Sequence, residues 1–299
     1  MHGSGILFGL GAAGCQSLSY LSSRWFVLQR PSGAWRLLIW AHLFMGAMSL
    51  LALPWAWSPA VPPPRVYLGP LIRAAGFYLA GQAGLFVLMR RTEASRIAPL
   101  LALKILILAL ISVLVLRQPL TAAQWLAALL CLAASLLLSQ SGGALGPGVL
   151  ALLAAVCTGY ALSDLGIAAL VRSLSPLRQV RASILGTALT YLLCGAAALP
   201  FWPAVAAARA PGEARAALPF AAFWLLGMVL LYACFAFVGP LYGNILQATR
   251  GLISIALGAW LARLGFRRLE PPAPRRVVAQ RAAAAALMIL AVWLFQRGS

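Results

Sequence analysis

The chain is cut into ten apolar stretches, each near the length of a bilayer crossing, by connections too short to hold a soluble domain. A hydrocarbon core about 30 Å thick takes about 20 predominantly apolar residues per helix. Stretches that meet this requirement fall at roughly 4–23, 37–57, 66–89, 95–116, 121–139, 146–170, 180–201, 217–241, 243–264 and 277–296. The longer connections, SPAVPPPR (58–65), WPAVAAARAPGEAR (202–215) and GFRRLEPPAPRR (265–276), are rich in proline or arginine. Composition agrees: the chain is 63% hydrophobic and 9% charged, whereas soluble domains are about half apolar and about a quarter charged. The pattern predicts an all-α polytopic membrane protein with ten transmembrane helices, because helix satisfies every backbone polar group within the segment. The first stretch is expected to stay as a span: MHGSG before it has no Lys or Arg, which the first region of a signal peptide needs.

The net charge is +19, from 23 Lys+Arg against 4 Asp+Glu. On a soluble protein this balance would suggest nucleic acid. Here the arginines lie between apolar runs, where they orient spans and meet anionic lipid headgroups, so nucleic acid is not expected as a partner. Most arginines follow odd-numbered stretches, among them Arg24, Arg30, Arg36, Arg90, Arg91 and Arg96. The positive-inside rule then favours both termini outside the cytoplasm. Cys15, Cys131, Cys157, Cys194 and Cys234 all sit in apolar runs without a CxxC pair, which supports neither a disulfide framework nor a metal site. No Walker loop, HExxH or GxSxG occurs, so neither an ATP-driven pump nor an enzyme is expected, and no cofactor. Trp35, Trp55, Trp57, Trp202 and Trp293 near stretch ends read as interfacial anchors.

Ten is twice five, and the halves align. AAGCQSLSYLSS (12–23) lies over AAVCTGYALSDL (154–165), matching Cys15 to Cys157 at an offset of 142. RIAPLLALKILILAL (96–110) lies over YGNILQATRGLISIA (242–256), matching Lys104 to Arg250 at an offset of 146. Nearly equal offsets predict a duplicated five-helix unit, residues 1–141 and 142–299. An odd number of spans per unit makes the two repeats inverted, an architecture of secondary transporters.

Residues 99–137, PLLALKILILALISVLVLRQPLTAAQWLAALLCLAASLL, resemble the close of an EamA unit of the drug/metabolite transporter (DMT) superfamily. There a proline-containing helix runs into a Gly-Glu-x-Leu-Thr turn and then a helix rich in small residues. The chain departs at Arg117-Gln118, where the family has Gly-Glu, and its second half places Glu270 in a longer turn. The resemblance implies ten helices around a central cavity, a bacterial cytoplasmic membrane, both termini inside, and a monomer or homodimer. Termini inside contradicts the charge rule, and the sequence alone supports each expectation on a different ground.

Charge inside an apolar run is the strongest local signal. A charged side chain at a span's centre costs about 2.5–3.5 kcal/mol on insertion scales. Lys104, the only lysine, and Arg250 each stand deep in a run, whereas Arg73 is near enough to a span end to snorkel. A pseudo-twofold axis would bring Lys104 and Arg250 to one cavity, where two cations need something negative. Asp164 is the only acid within a stretch, and one aspartate cannot neutralise both. The expectation is a small anionic or zwitterionic substrate clamped by Lys104 and Arg250. Some members of the superfamily that carry phosphate esters use basic residues on the equivalent helices, as the resemblance implies. The opposing reading pairs Lys104 or Arg250 with Asp164 structurally, and Asp164 itself reads as a proton-coupling carboxylate or as a counter-ion of Arg250.

Gln16, Ser19 and Tyr20 on the first stretch, Tyr160 on the sixth, and Asn244 and Gln247 before Arg250 are further candidates for substrate binding, with Ser17 and Thr249 beside them. Each is equally a candidate for hydrogen bonding between helices. His42 reads as a helix-packing histidine. The function expected is secondary transport of an anionic or zwitterionic metabolite by alternating access. The alternatives are a proton-coupled exporter of cationic drugs or amino acids, and a non-transporting membrane scaffold.

Overall fold

In a computed structural model, the described residues are 2–29, 34–91, 100–139, 146–206, 212–263 and 275–298, and they contain helix and no strand. The helices are α1 (His2–Gln29), α2 (Ala34–Ala56), α3 (Pro64–Arg91), α4 (Leu103–Leu114), α5 (Ala122–Ser139), α6 (Pro147–Ser173) and α7 (Gln179–Ala198). After a 3₁₀ turn (Leu199–Phe201) come α8 (Trp202–Ala206), α9 (Glu213–Ala248), α10 (Arg250–Arg263) and α11 (Arg275–Arg297). Each apolar stretch carries helix. Five segments are both long and apolar enough to cross a membrane: Trp35–Ala56, Pro147–Ser173, Gln179–Ala206, Glu213–Ser254 and Ala279–Arg297. Leu103–Leu114 and Ala122–Leu137 are apolar but shorter. The chain is thus an all-α, multi-pass membrane protein.

The helices form two compact units, Met1–Ala75 with Gly166–Val238, and Gly76–Leu165 with Gly239–Ser299. Each unit draws helices from both halves of the sequence.

In the first unit, α2 crosses α7 where glycine faces glycine. A Cβ on Gly195 would stand 2.8 Å from the Gly46 Cα and 3.1 Å from the His42 carbonyl oxygen, so only glycine permits this approach. Beside this crossing the His42 Nδ1–H donates to the Leu38 carbonyl at 2.8 Å, the contact expected of a helix-packing histidine. Phe26, Leu37, Ala216 and Ala217 form a buried cluster flanked by Trp40, Phe44 and Phe220. A buried ion pair ties the start of α2 to the first turn of α9: Arg36 Nε donates to Glu213 Oε1 at 2.6 Å. Arg181 closes the other end of α2, donating to the carbonyls of Ala56 at 3.1 Å and Trp57 at 2.7 Å. A cation suits that end of a helix, where unpaired carbonyls gather. Trp35, Trp55, Trp57, Trp202 and Trp293 are all exposed.

In the second unit, α5 packs along α11 through Ala134, Ala284 and Met288. The alanine runs of these two stretches are what allow the approach. α3 meets α6 at Gly81 and Gly84, which lie against Tyr160 and Val156. Leu88, Leu100, Leu101, Leu153, Val156 and Cys157 make the neighbouring core.

The regular helical backbone breaks at Gly239 and again at the end of α4. Beside Pro240 the backbone leaves helical geometry at Gly239 alone, with φ 78° and ψ 165°. That region is open essentially only to glycine. Pro240 has no N–H, so the Ala236 carbonyl loses its helical donor; the Gln179 amide approaches it at 3.5 Å. Of the other prolines, Pro200 lies in the 3₁₀ turn closing α7 and α9 runs through Pro219. Pro99 lies outside the described residues.

Past the end of α4, Arg117 has φ 53°, and Gln118 N–H donates back to the Ser112 carbonyl at 2.9 Å. Arg117 therefore occupies a left-handed position where the resembled turn has glycine. An L residue with a Cβ is strained there by about 1–2 kcal/mol. Arg117→Gly is expected to raise the unfolding free energy by about 0.5–1 kcal/mol, the strain relieved less the entropy glycine restores to the unfolded chain. Thermal unfolding in detergent measures it, and a destabilised variant would show that the arginine side chain matters more than its backbone.

Candidate functional site

Lys104 is the second residue of α4, and Arg250 is the first residue of α10. Continuous helices were expected through 95–116 and 243–264. Instead the regular ladder is interrupted at 101–102 and again at 249. Tight turns bridge both interruptions: Lys104 N–H donates to the Leu101 carbonyl at 3.1 Å, and Thr249 N–H to the Leu246 carbonyl at 3.1 Å. The Thr249 hydroxyl also donates to the Leu246 carbonyl, at 2.6 Å. The interruptions end two residues before Lys104 and one residue before Arg250. Both cations thereby stand in the first turn of a helix. The macrodipole disfavours a cation there by about 0.3–1 kcal/mol and favours an anion by as much.

The anion the protein itself supplies is Asp164 on α6. Lys104 Nζ lies 3.2 Å from Asp164 Oδ2 and donates to Gln247 Oε1 at 3.0 Å. The Asp164 side chain is 7% exposed and that of Lys104 12%. Asn244 Nδ2 donates to the same Asp164 oxygen at 2.8 Å and to the Pro240 carbonyl at 2.8 Å. Asn244 and Gln247 are buried. They lie one turn apart on α9 and therefore share a face. Arg250 is near enough for its charge to oppose that of Lys104. Asp164 is the counter-ion of Lys104, a pairing the sequence left open between Lys104 and Arg250.

One turn before Asp164 on α6, the Tyr160 hydroxyl donates to Gln82 Oε1 at 2.9 Å, and Gln82 Nε2 donates to the Tyr78 hydroxyl at 3.0 Å. Sequence reasoning does not single out Gln82 and Tyr78 on α3. The available signal is Gln82 itself, an amide in the apolar run YLAGQAGLF. Arg73, also on α3, is exposed.

The second compact unit thus gathers Lys104, Tyr160, Asp164, Asn244, Gln247 and Arg250. The remaining candidates, Gln16, Ser19 and Tyr20, lie on α1 in the first unit. There Gln16 Nε2 contacts the Met228 sulfur at 3.5 Å, and Tyr20 meets Trp224 edge-on at 6.0 Å. The Trp224 indole donates to the Tyr191 hydroxyl at 2.7 Å, and Tyr232 to the Thr190 hydroxyl at 2.9 Å. Ser19 is fully buried, and its hydroxyl meets no partner among the described residues. Ser17 and Ser22, by contrast, bond back to their own helix at Ala13 and Leu18, the ordinary habit of helical serine.

Residues 3–140 match the model of the EamA-like transporter family. No curated protein matches the chain. A solved protein described only as "Crystal structure of protein" superposes with a TM-score of 0.62 at 19% identity, over 99% of this chain and 98% of the other. At that identity the likeness speaks for the fold alone. Residues 3–140, a little under half of the chain, are thus similar to the EamA-like transporter family, whose members are membrane transporters.

Proposed function

We propose that the protein is a secondary transporter that moves a small anionic or zwitterionic metabolite across the bacterial cytoplasmic membrane by alternating access. The observation that carries this reading is the placement of Lys104 and Arg250 in the first turns of two interrupted helices. Interrupted helices whose N-terminal ends face a substrate's anionic group are a recurring transporter device. Here each positive end is reinforced by a basic side chain, and Asp164 is the one acidic side chain among the described residues of that cluster. The inverted pair of five-helix repeats, 1–141 and 142–299, belongs to the same proposal. It is supported by the nearly equal offsets and by the helix interruptions just ahead of both Lys104 and Arg250.

In this reading Lys104 has two partners in turn. Without substrate it is held by Asp164 and Gln247. With substrate, its ammonium also faces the anionic group, and Asp164 keeps the site from carrying excess positive charge. Arg250 adds the second positive arm. Tyr160, through Gln82, fixes the α3 side of the same unit.

The test is uptake of labelled anions, zwitterions and cations into proteoliposomes containing the purified protein. Uptake of anionic or zwitterionic compounds, absent from protein-free vesicles and lost in Lys104→Ala, is the expected result. Transport confined to cationic compounds would overturn the charge assignment. Absence of any flux across the panel would favour a scaffold.

A further inference from the structure

We propose that Asn244 determines specificity by reading a hydrogen-bond donor on the ligand, so that the site takes hydroxy- or amino-substituted carboxylates in preference to bare ones. This rests on the anion-binding reading of Lys104. It goes further by naming what the rest of the ligand must carry.

The argument is one of hydrogen-bond accounting. A primary amide has two N–H donors and one carbonyl acceptor. Asn244 Nδ2 faces two acceptors at 2.8 Å, Asp164 Oδ2 and the Pro240 carbonyl. Both hydrogens are therefore committed. Turning the amide over would set its oxygen against a carboxylate and a carbonyl, so the orientation is locked. Asn244 Oδ1 is then fixed in place. It is buried, and no donor among the described residues reaches it. Asn244 as a whole is 1% exposed. A buried acceptor without a donor is unfavourable, and it is held here by a residue whose other atoms bind the charge cluster.

The cluster has matching capacity elsewhere. Lys104 has three N–H donors, of which Asp164 and Gln247 take two. Asp164 accepts both of its contacts on Oδ2. Because the Lys104 ammonium and the Asn244 amide meet on that one oxygen, their nitrogens lie within about 6 Å of each other. Asn244 Oδ1 belongs to the same amide group as Nδ2, so one small molecule can reach from Lys104 to it. Its anionic group would accept from Lys104 while a hydroxyl or ammonium a bond or two away donates to Asn244 Oδ1. A bare carboxylate would satisfy the first group and leave the second unpaired. Sites built around a buried polar group discriminate strongly against ligands that fail to pair it.

The experiment compares matched probes on the full-length protein in detergent: propionate, lactate and alanine, then glutarate, 2-hydroxyglutarate and glutamate. Apparent affinity is read from ligand-induced thermal stabilisation. In the wild type the substituted members should bind at least about tenfold more tightly than the bare member of each set. Asn244→Ser and Asn244→Ala should bring the members of each set within about threefold of one another, whatever the change in their common affinity. Equal binding within each set by the wild type overturns the inference and leaves the anion reading intact. So does discrimination that survives in a folded Asn244→Ser protein. Binding of these carboxylates that persists in Lys104→Ala overturns the anion reading and the inference with it. Failure of every member to bind the wild type overturns the inference alone, since the anion reading is not confined to carboxylates.

Discussion

Lys104→Ala should lower the unfolding free energy by about 3 kcal/mol, because it strands the Asp164 carboxylate in a buried position. Two terms oppose each other here. Removing an ammonium from an apolar span recovers its cost of burial. Removing it from beside Asp164 takes away the counter-charge at 3.2 Å and leaves the anion, among the described residues, the amide of Asn244 as its donor. Truncating one partner of a buried pair costs about 3–5 kcal/mol, so the second term wins. The small remaining exposure of Lys104 places the expected value at the low end. Asp164→Ala should be destabilising for the converse reason. The double change Lys104→Ala with Asp164→Ala should return to within about 1 kcal/mol of the wild type, since neither charge is left alone. Thermal unfolding of both singles and the double gives the coupling. Transport measured on the same four proteins separates pairing from function. A double variant that is stable yet inactive is the expected outcome. A stable double variant that transports normally would remove Lys104 from substrate binding. Lys104→Arg should retain the fold and lose much of the activity, because a planar fork replaces a compact ammonium between Asp164 and Gln247.

Arg36→Ala and Glu213→Ala should each cost about 3–5 kcal/mol, as the second buried ion pair loses one member. This pair is tighter than the first, at 2.6 Å, with both side chains almost wholly enclosed. Glu213 also stands in the first turn of α9, where its negative charge suits the helix end. Losing Arg36 therefore leaves Glu213 some compensation, whereas losing Glu213 leaves the Arg36 guanidinium, among the described residues, a 3.5 Å approach to the Val205 carbonyl. Glu213→Ala should accordingly be the more damaging of the two. Replacing both by apolar residues of similar volume, Arg36→Met with Glu213→Leu, should be close to neutral. Equilibrium unfolding of the three variants measures the ordering. Single variants within about 1 kcal/mol of the wild type would show that the pair is solvated in solution.

The parts of this molecule that can be read from sequence are those where chemistry is out of place. Lys104 stands out because a charge in PLLALKILILAL needs a reason. Asp164 stands out as the one acid in an apolar stretch. Asn244 and Gln247 follow because they share a helical face just ahead of Arg250. The helix boundaries of α2, α6 and α7 follow the apolar runs closely because insertion energy alone sets them. The interruptions at 101–102 and 249 do not announce themselves: Ala102 and Thr249 are ordinary helix residues, and the nearest punctuation, Pro99 and Gly251, lies two or three residues away. Tertiary packing and the hydrogen bonds of the charge cluster decide them. The Arg36–Glu213 pair is invisible for another reason. Its members are 177 residues apart, and both fall at the edges of connections, where charged residues are expected to be solvated. The choice of Asp164 partner is likewise undecidable from spacing, since Lys104 and Arg250 hold equivalent positions.

The single non-helical residue in α9 also governs how that helix opens. A hydrogen-bonded ladder propagates order from one residue to the next, so an unbroken helix resists opening along its whole length. At Gly239 propagation stops, and Pro240 contributes no amide across the gap. Residues 213–238 and 240–248 are therefore separate cooperative segments. Their amide protons should exchange with solvent deuterium at unrelated rates, with the shorter segment, which carries Asn244 and Gln247, depending for its protection on Asp164 and Lys104. A ligand that fastens this cluster should slow exchange in 240–248 while leaving 213–238 unchanged, giving the short segment a measurable free energy of its own.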